Sequence, residues 1–185
     1  MRKTVATIII LVIAAVMGFV YLGVEQQVRE KTHPLEYSEF VEKYSQQYSV
    51  PKEIVYAVIK TESSFKSDAV SNKGAIGLMQ ITPDTFAWLC TKESFSSDSV
   101  DMLYNPEINI RAGTLFLSLL YSEYGIWENV YAAYNAGRSK VNEWLEDEKY
   151  NDNGHLVNVP YKETASYIKK VTRTAEIYTE LYFEK

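Results

Sequence analysis

The chain has 185 residues, 46% of them hydrophobic and 23% charged, with a formal net charge of −5 at pH 7. Such a composition builds one small packed domain with an appendage and excludes a disordered tail. All the acidic residues follow Val24, which argues against a nucleic-acid binder relying on a basic face, and the single cysteine, Cys90, excludes an internal disulfide framework.

Thr4 to Val24 carries no charged residue, and Arg2 and Lys3 precede it. At about 1.5 Å per residue, a helix of that length crosses a bilayer of roughly 30 Å. The run is longer than the apolar region of a signal peptide. It leaves through Phe19-Val20-Tyr21-Leu22 without a small-residue cleavage pattern. We therefore expect an uncleaved N-terminal transmembrane helix, with residues 1–34 as anchor and short linker and 35–185 as the functional domain. Arg29 and Lys31 nearly balance Arg2 and Lys3, so the positive-inside rule says little about orientation.

Leu35, Phe40, Val41, Tyr44 and Tyr48 suggest a first domain helix over 36–47. Pro51 suits the first turn of a second helix, along which Ile54, Val55, Val58 and Ile59 recur at helical spacing. Glu62 falls on that apolar stripe rather than on the wet face. A carboxyl so placed is partly desolvated, which raises its pKa, and one still protonated near neutral pH can act as a general acid. Taken alone, Glu62 also reads as a half-buried acid paired with a Lys or Arg.

Residues 65–81 read as a loop punctuated by Gly74 and Gly77. Thr82 and Pro83 open a short helix over 83–89, and a Ser-rich loop follows over 91–101. Asn105-Pro106 opens a core helix carrying Ile108, Ala112, Leu115, Phe116, Leu119 and Leu120, which Gly125 ends. A further helix runs over 127–134, and Ser139 is read as the cap of a short helix bearing Val141, Trp144 and Leu145. The polar stretch 146–159 is irregular, with room for a short hairpin. The last helix is expected over 162–182, with Thr164, Ile168, Val171, Ala175, Tyr178 and Tyr182 in a four-three rhythm. The fold class is mainly α.

Four blocks stand in order: Glu62-Ser63-Ser64-Phe65; Gly74-Ala75-x-Gly77-Leu78-Met79-Gln80; Ala132-Ala133-Tyr134-Asn135-Ala136-Gly137; and Pro160-Tyr161-Lys162-Glu163-Thr164-x-x-Tyr167. Together with Asn105-Pro106-x-x-Asn109-Ile110-x-x-Gly113, they resemble the lytic transglycosylase domain of the soluble-transglycosylase (SLT) type, related to goose-type lysozyme. The resemblance covers most of residues 50–170. It implies a lysozyme-like helical domain with a glycan-binding groove, acting on peptidoglycan. Glu62 is then the sole acid/base. Ser71, Gln80, Tyr134 and Glu163 are substrate-binding, with Tyr134 hydrogen-bonding near the carboxyl and the reacting sugar. Ser63, Gly77, Leu78, Met79, Asn135 and Gly137 shape the motif.

Glu163 also reads as an ordinary helix N-terminal carboxylate. Tyr121, Tyr124, Trp127 and Tyr131 are open to sugar stacking but read mostly as packing residues. Thr82 stands where the family commonly has a methionine.

The implied reaction cleaves the MurNAc–GlcNAc β-1,4 bond without water and leaves a 1,6-anhydro end, with no metal or cofactor. This substrate places the domain on the cell-wall side of the membrane. The alternatives are a hydrolytic muramidase on the same fold, with Asp68, Asp84 or Glu163 positioning a water, or a non-catalytic wall-binding scaffold.

Overall fold

A computed structural model describes residues 2–96 and 98–184, which divide into two compact units, Met1–Pro34 and Leu35–Lys185. The first is helix α1, Arg2–Thr32. Among the described residues, no helix is long and apolar enough to cross a membrane. The expected membrane span over Thr4–Val24 falls mostly on side chains outside the described set, those of residues 4–12, 14, 15 and 22, so the structure does not carry that expectation.

The second unit is helical. It comprises α2 (Ser38–Tyr48), α3 (Lys52–Glu62), α4 (Pro83–Cys90), a 3-10 turn (Val100–Tyr104), α5 (Pro106–Tyr124), α6 (Trp127–Ala136), α7 (Arg138–Leu145) and α8 (Lys162–Tyr178), which runs on into a π turn over Thr179–Phe183. A two-stranded antiparallel hairpin, β1 (Asn151–Asp152) and β2 (His155–Leu156), sits between α7 and α8.

The helix starts follow from local chemistry. The Thr82 hydroxyl accepts from the Thr85 N–H, and the Asn105 side chain accepts from the Ile108 N–H, with Pro83 and Pro106 at the next positions. Gly125 ends α5 in the left-handed conformation at φ 65°.

Two expectations need correction here. Ser139 does not cap α7: the helix already begins at Arg138, because Gly137 turns the chain at φ 90° and serves as its N-cap. The regular α-helix of the C-terminal segment stops at Tyr178, not Tyr182, and the wider π turn brings Phe183 against Tyr56 at 6.4 Å. The polar stretch does contain a hairpin. Asn153 and Gly154 lie at φ 52° and 85°, positive at both positions as a type I′ turn requires.

The core forms around α5. Ile110, Ala112, Leu117 and Leu120 are fully buried, while α3 contributes Val55, Val58 and Ile59 and α8 contributes Val171 and Tyr178. α3 and α8 pack along one another, which brings the fourth sequence block beside the first. Stretch 65–81 is more ordered than a free loop. Ile76 bridges both Val70 and Ile81, and Leu78 and Met79 are fully buried beneath it.

Asn109 ties this turn to α5. Its side-chain amide donates to the Ile76 and Leu103 carbonyls at 2.9 and 2.8 Å, and its Oδ1 accepts from the Met79 N–H at 2.7 Å. Gly77 sits directly against that amide at φ 79°. A Cβ there would run into Asn109 and the Leu103 carbonyl, so no other residue fits.

Candidate functional site

Glu62 is the last residue of α3. The chain then turns sharply through Ser64 and Phe65, at φ 51° and 67°. Consecutive left-handed non-glycine residues cost roughly 1 kcal/mol each and persist only where surrounding contacts hold them. Here the Ser63 hydroxyl donates to the Leu78 carbonyl at 2.8 Å, and Phe65 is buried near Tyr56. Ser63 thus bolts the end of the acid's helix to the Gly-Leu-Met-Gln turn.

The Glu62 Oε1 accepts a hydrogen bond of 2.6 Å from the Tyr167 hydroxyl on α8. Burial pushes the Glu62 pKa up to about 7, against the opposing pull of the Tyr167 hydrogen bond and the Lys170 charge. Tyr167 is itself buried, which holds its own pKa well above the usual phenol value and keeps it a donor at neutral pH.

A cavity of about 360 Å³ opens at this carboxyl. Glu62, Ser71, Gln80, Tyr134 and Glu163, widely separated in sequence, all line it, together with Asn135 and Thr82. Ser71 accepts from the Lys73 and Ala75 N–H groups at 3.2 and 3.0 Å, which closes the loop and leaves its own hydroxyl hydrogen for a ligand. The Gln80 amide nitrogen donates to the Ala69 and Gly77 carbonyls at 3.1 and 2.9 Å. Its Oε1 is left to accept from a ligand N–H. Asn135 takes a hydrogen bond of 2.8 Å from the Thr164 hydroxyl, joining the end of α6 to the first turn of α8.

Tyr134 differs from expectation in detail. It lines the cavity, but its hydroxyl donates to the Met79 carbonyl at 2.7 Å, and the tyrosine bonded to the acid is Tyr167. Tyr167 had a signal in the sequence, as the last residue of the fourth block and three after buried Thr164 on the same helical face. Gly137 does not line this cavity, and Gly77, Leu78 and Met79 form the turn beneath it. Tyr121, Trp127 and Tyr131 stack on one another at 4.3 and 6.1 Å, away from the cavity. Cys90 is a free, partly buried thiol. Among the described residues, no group of three or more His, Cys, Asp or Glu is arranged to hold a metal ion.

The arrangement is that of a proton-transfer site. One carboxyl with a pKa near neutrality is oriented by a tyrosine and faces a polar, sugar-sized cavity. A carboxyl poised in this way both donates and accepts a proton at physiological pH.

Comparison with known proteins bears on sequence family and fold. The sequence model of the transglycosylase SLT domain matches residues 39–157. The soluble lytic murein transglycosylase of Escherichia coli is 32% identical over 148 residues, covering 77% of this chain and 23% of that protein. The membrane-bound lytic murein transglycosylase C of Edwardsiella ictaluri is 30% identical over 172 residues, covering 78% and 47%. The chain therefore spans well under two thirds of the length of either relative.

Among solved structures, an inactive mutant of the lytic transglycosylase Slt from Pseudomonas aeruginosa superposes with a TM-score of 0.74 at 30% identity, over 82% of this chain and 25% of that one. The 70 kDa soluble lytic transglycosylase of Escherichia coli superposes with a TM-score of 0.74 at 29% identity, over 85% and 26%. With the family model spanning most of the second unit, the helical fold shared and the block residues gathered at one cavity, this protein belongs to the transglycosylase SLT domain family.

Proposed function

We propose that residues 35–185 form a peptidoglycan lytic transglycosylase that cleaves the MurNAc–GlcNAc β-1,4 bond without water. The observation that carries this reading is Glu62, a carboxyl with a pKa of about 7, bonded to Tyr167 at the wall of a cavity that also presents Gln80 and Ser71.

The Glu62 carboxyl gives its proton to the bridging oxygen as the C1–O bond breaks. The carbonyl oxygen of the same sugar's acetamido group supports the cation developing at C1. The Glu62 carboxylate then removes the proton from that sugar's 6-hydroxyl as O6 bonds to C1. The carboxyl is restored, and the product carries a 1,6-anhydro end. Two-carboxylate hydrolysis needs a partner acid flanking the bond. Here a single group does both proton transfers, and a pKa near the working pH serves both directions. Gln80 Oε1 and the Ser71 hydroxyl are suited to hold the acetamido N–H and carbonyl.

Anchoring is part of the proposal. The uncharged run Thr4–Val24 on α1 serves as a single-pass membrane anchor, with the catalytic unit on the cell-wall side. Membrane-bound relatives such as that of Edwardsiella ictaluri support an association with the membrane.

Mass spectrometry of glycan fragments from digested peptidoglycan tests the chemistry. Ends lighter by one water than reducing sugars are expected. Fragments with reducing ends instead identify a hydrolase, for which Glu163, in the same cavity, is the residue able to direct a water.

Tyr167→Phe tests the setting of the acid. The hydroxyl donates to Glu62 and favours its charged form, so removing it raises the Glu62 pKa further. Activity needs the protonated carboxyl and falls as pH rises through that pKa. The descending alkaline limb of the rate profile should therefore move to higher pH in the variant. Measured well below pH 7, where both proteins are protonated, the remaining loss in kcat reports orientation alone. An unmoved limb would remove Tyr167 from this role.

A further inference from the structure

A cavity of about 430 Å³ opens between the start of α3, the start of α6 and the second half of α8. Each of these helices presents its other end to the acid. On α3, Glu53 lines this cavity and Glu62 the other, about 13 Å further along the helix axis. On α6, Trp127 stands here, while Tyr134 and Asn135 line the acid's cavity. On α8, Glu163 faces the acid's cavity, and Thr172 and Glu176 face this one. A ligand held here leaves the reacting groups uncovered.

The lining suits an organic cation. Glu53, Glu128, Glu176, Glu180 and Glu184 all border the cavity. Arg173 pairs with Glu176 at 3.0 Å and stands 3.9 Å from Glu180, whereas Glu53 and Glu128 form no ion pair among the described residues. Trp127 supplies an aromatic wall, its ring stacked with those of Tyr121 and Tyr131. Two hydroxyls on this wall lack protein partners. Tyr131 is only 3% exposed, yet its hydroxyl makes no hydrogen bond to the described residues. Burial and then the charges of Glu128 and Glu53 push its pKa up, so the phenol keeps its proton and lies in the field of both carboxylates. The Thr172 Oγ1 is buried without a partner. Polar atoms left in this way are costly unless a ligand satisfies them. Among the described residues, no three of the carboxylates converge as metal ligands, and the volume far exceeds that of an ion. A charged tip on an aliphatic stem matches both the acidic rim and the ring.

We propose that this cavity is the docking site for a basic segment of a partner protein, whose lysine or arginine side chains lie along Trp127 and direct their cationic tips to Glu53, Glu128 and the Tyr131 hydroxyl. The phenol oxygen accepts from such an N–H, and its own hydrogen goes to a carbonyl of the segment. The acidic rim that attracts this partner repels a lipid phosphate and a peptide ending in a free carboxylate. The segment therefore belongs to a protein rather than to a membrane surface or a wall peptide. Because the site lies at the far ends of the three helices, the partner holds the domain without entering the acid's cavity, and the proposal stands apart from the glycan reading.

Fluorescence anisotropy tests it, using the full chain and a labelled, C-terminally amidated peptide of alternating lysine and glycine at low salt. Binding is expected, with its loss when each lysine is replaced by glutamine or when salt is raised to about 0.5 M. Glu53→Gln combined with Glu128→Gln should weaken binding about tenfold, the worth of two ion pairs. Tyr131→Phe should weaken it about threefold, the worth of one hydrogen bond, and removes a hydroxyl on which no protein group depends, so the fold is kept. Glu146→Gln combined with Glu148→Gln makes the same change of charge at exposed positions outside the cavity, and should leave affinity within about twofold. Four results would each overturn the proposal. They are equal binding of the lysine and glutamine peptides, equal losses in the two double variants, parental affinity in Tyr131→Phe, and tighter binding of the same peptide with a free C-terminal carboxylate, the mark of a wall-peptide site.

Discussion

Glu62→Gln is expected to abolish glycan cleavage and, at the same time, to make the fold more stable at neutral pH. The first effect is the larger. In the proposed mechanism a single carboxyl performs both proton transfers, and an amide performs neither, so turnover should drop by at least about 10³-fold. The second effect follows from linkage. The Glu62 pKa is about 7 in the folded chain, against an ordinary 4.5. Between those values the unfolded chain loses the proton and the folded chain keeps it, so wild-type stability falls as pH rises through that window. Above about pH 7 the full cost of the buried charge is present, on the order of 3 kcal/mol, and below pH 4.5 it vanishes.

The amide carries no such cost. Urea unfolding should therefore show the variant stabilised at pH 8 and matched to wild type at pH 4. The two readouts together exclude the trivial explanation that the variant fails to fold. A variant that still clears cell walls at the parent rate would refute the assignment of the acid. One whose stability advantage does not vary with pH would refute the buried setting.

Asn109→Ala should be the most damaging substitution outside the cavity. Asn109 is fully buried and makes three hydrogen bonds, two to carbonyls and one from the Met79 N–H. Truncation leaves the Met79 N–H and the Leu103 carbonyl without this partner, each costing about 1–3 kcal/mol before relaxation, while the Ile76 carbonyl keeps the Ile81 N–H. A net loss of about 4 kcal/mol is expected, a large share of a small domain's stability. Asn109→Asp separates hydrogen bonding from shape. It keeps the acceptor, loses one of the two N–H donors while protonated and both once ionised, and buries an acid, so its deficit should deepen as pH rises. A loss below about 1 kcal/mol for Asn109→Ala would show that the turn is held elsewhere. Activity should fall with stability, because Gln80 and the Met79 carbonyl that receives Tyr134 both ride on this turn.

What the sequence revealed follows the range of the forces involved. Helix starts at Thr82-Pro83 and Asn105-Pro106 were legible because capping acts over three residues. The partial burial of Glu62 was legible because its stripe lies on one helix. The partner of the acid was not. Tyr134 and Tyr167 both stand in motif blocks, and which hydroxyl reaches the carboxyl depends on how α6 and α8 pack against α3, a matter of long-range geometry.

The end of α8 was misjudged because Tyr178 and Tyr182 keep an α-helical interval while the backbone widens into a π turn. The hairpin left only as an option over 146–159 had a local cue, the Asn153-Gly154 pair, and is clamped from outside by Asn129, which donates to the Gly154 carbonyl and accepts from the Leu156 N–H.

The hydrogen bond between Tyr167 and Glu62 spans 105 positions of chain. A polypeptide still emerging from the ribosome therefore holds Glu62 long before it holds the tyrosine that aims it. Until the C-terminal helix docks, that carboxyl lacks the packing and the hydrogen bond that α8 supplies. The proposed wall-cutting activity therefore waits on the docking of α8, which is synthesised after the rest of the site.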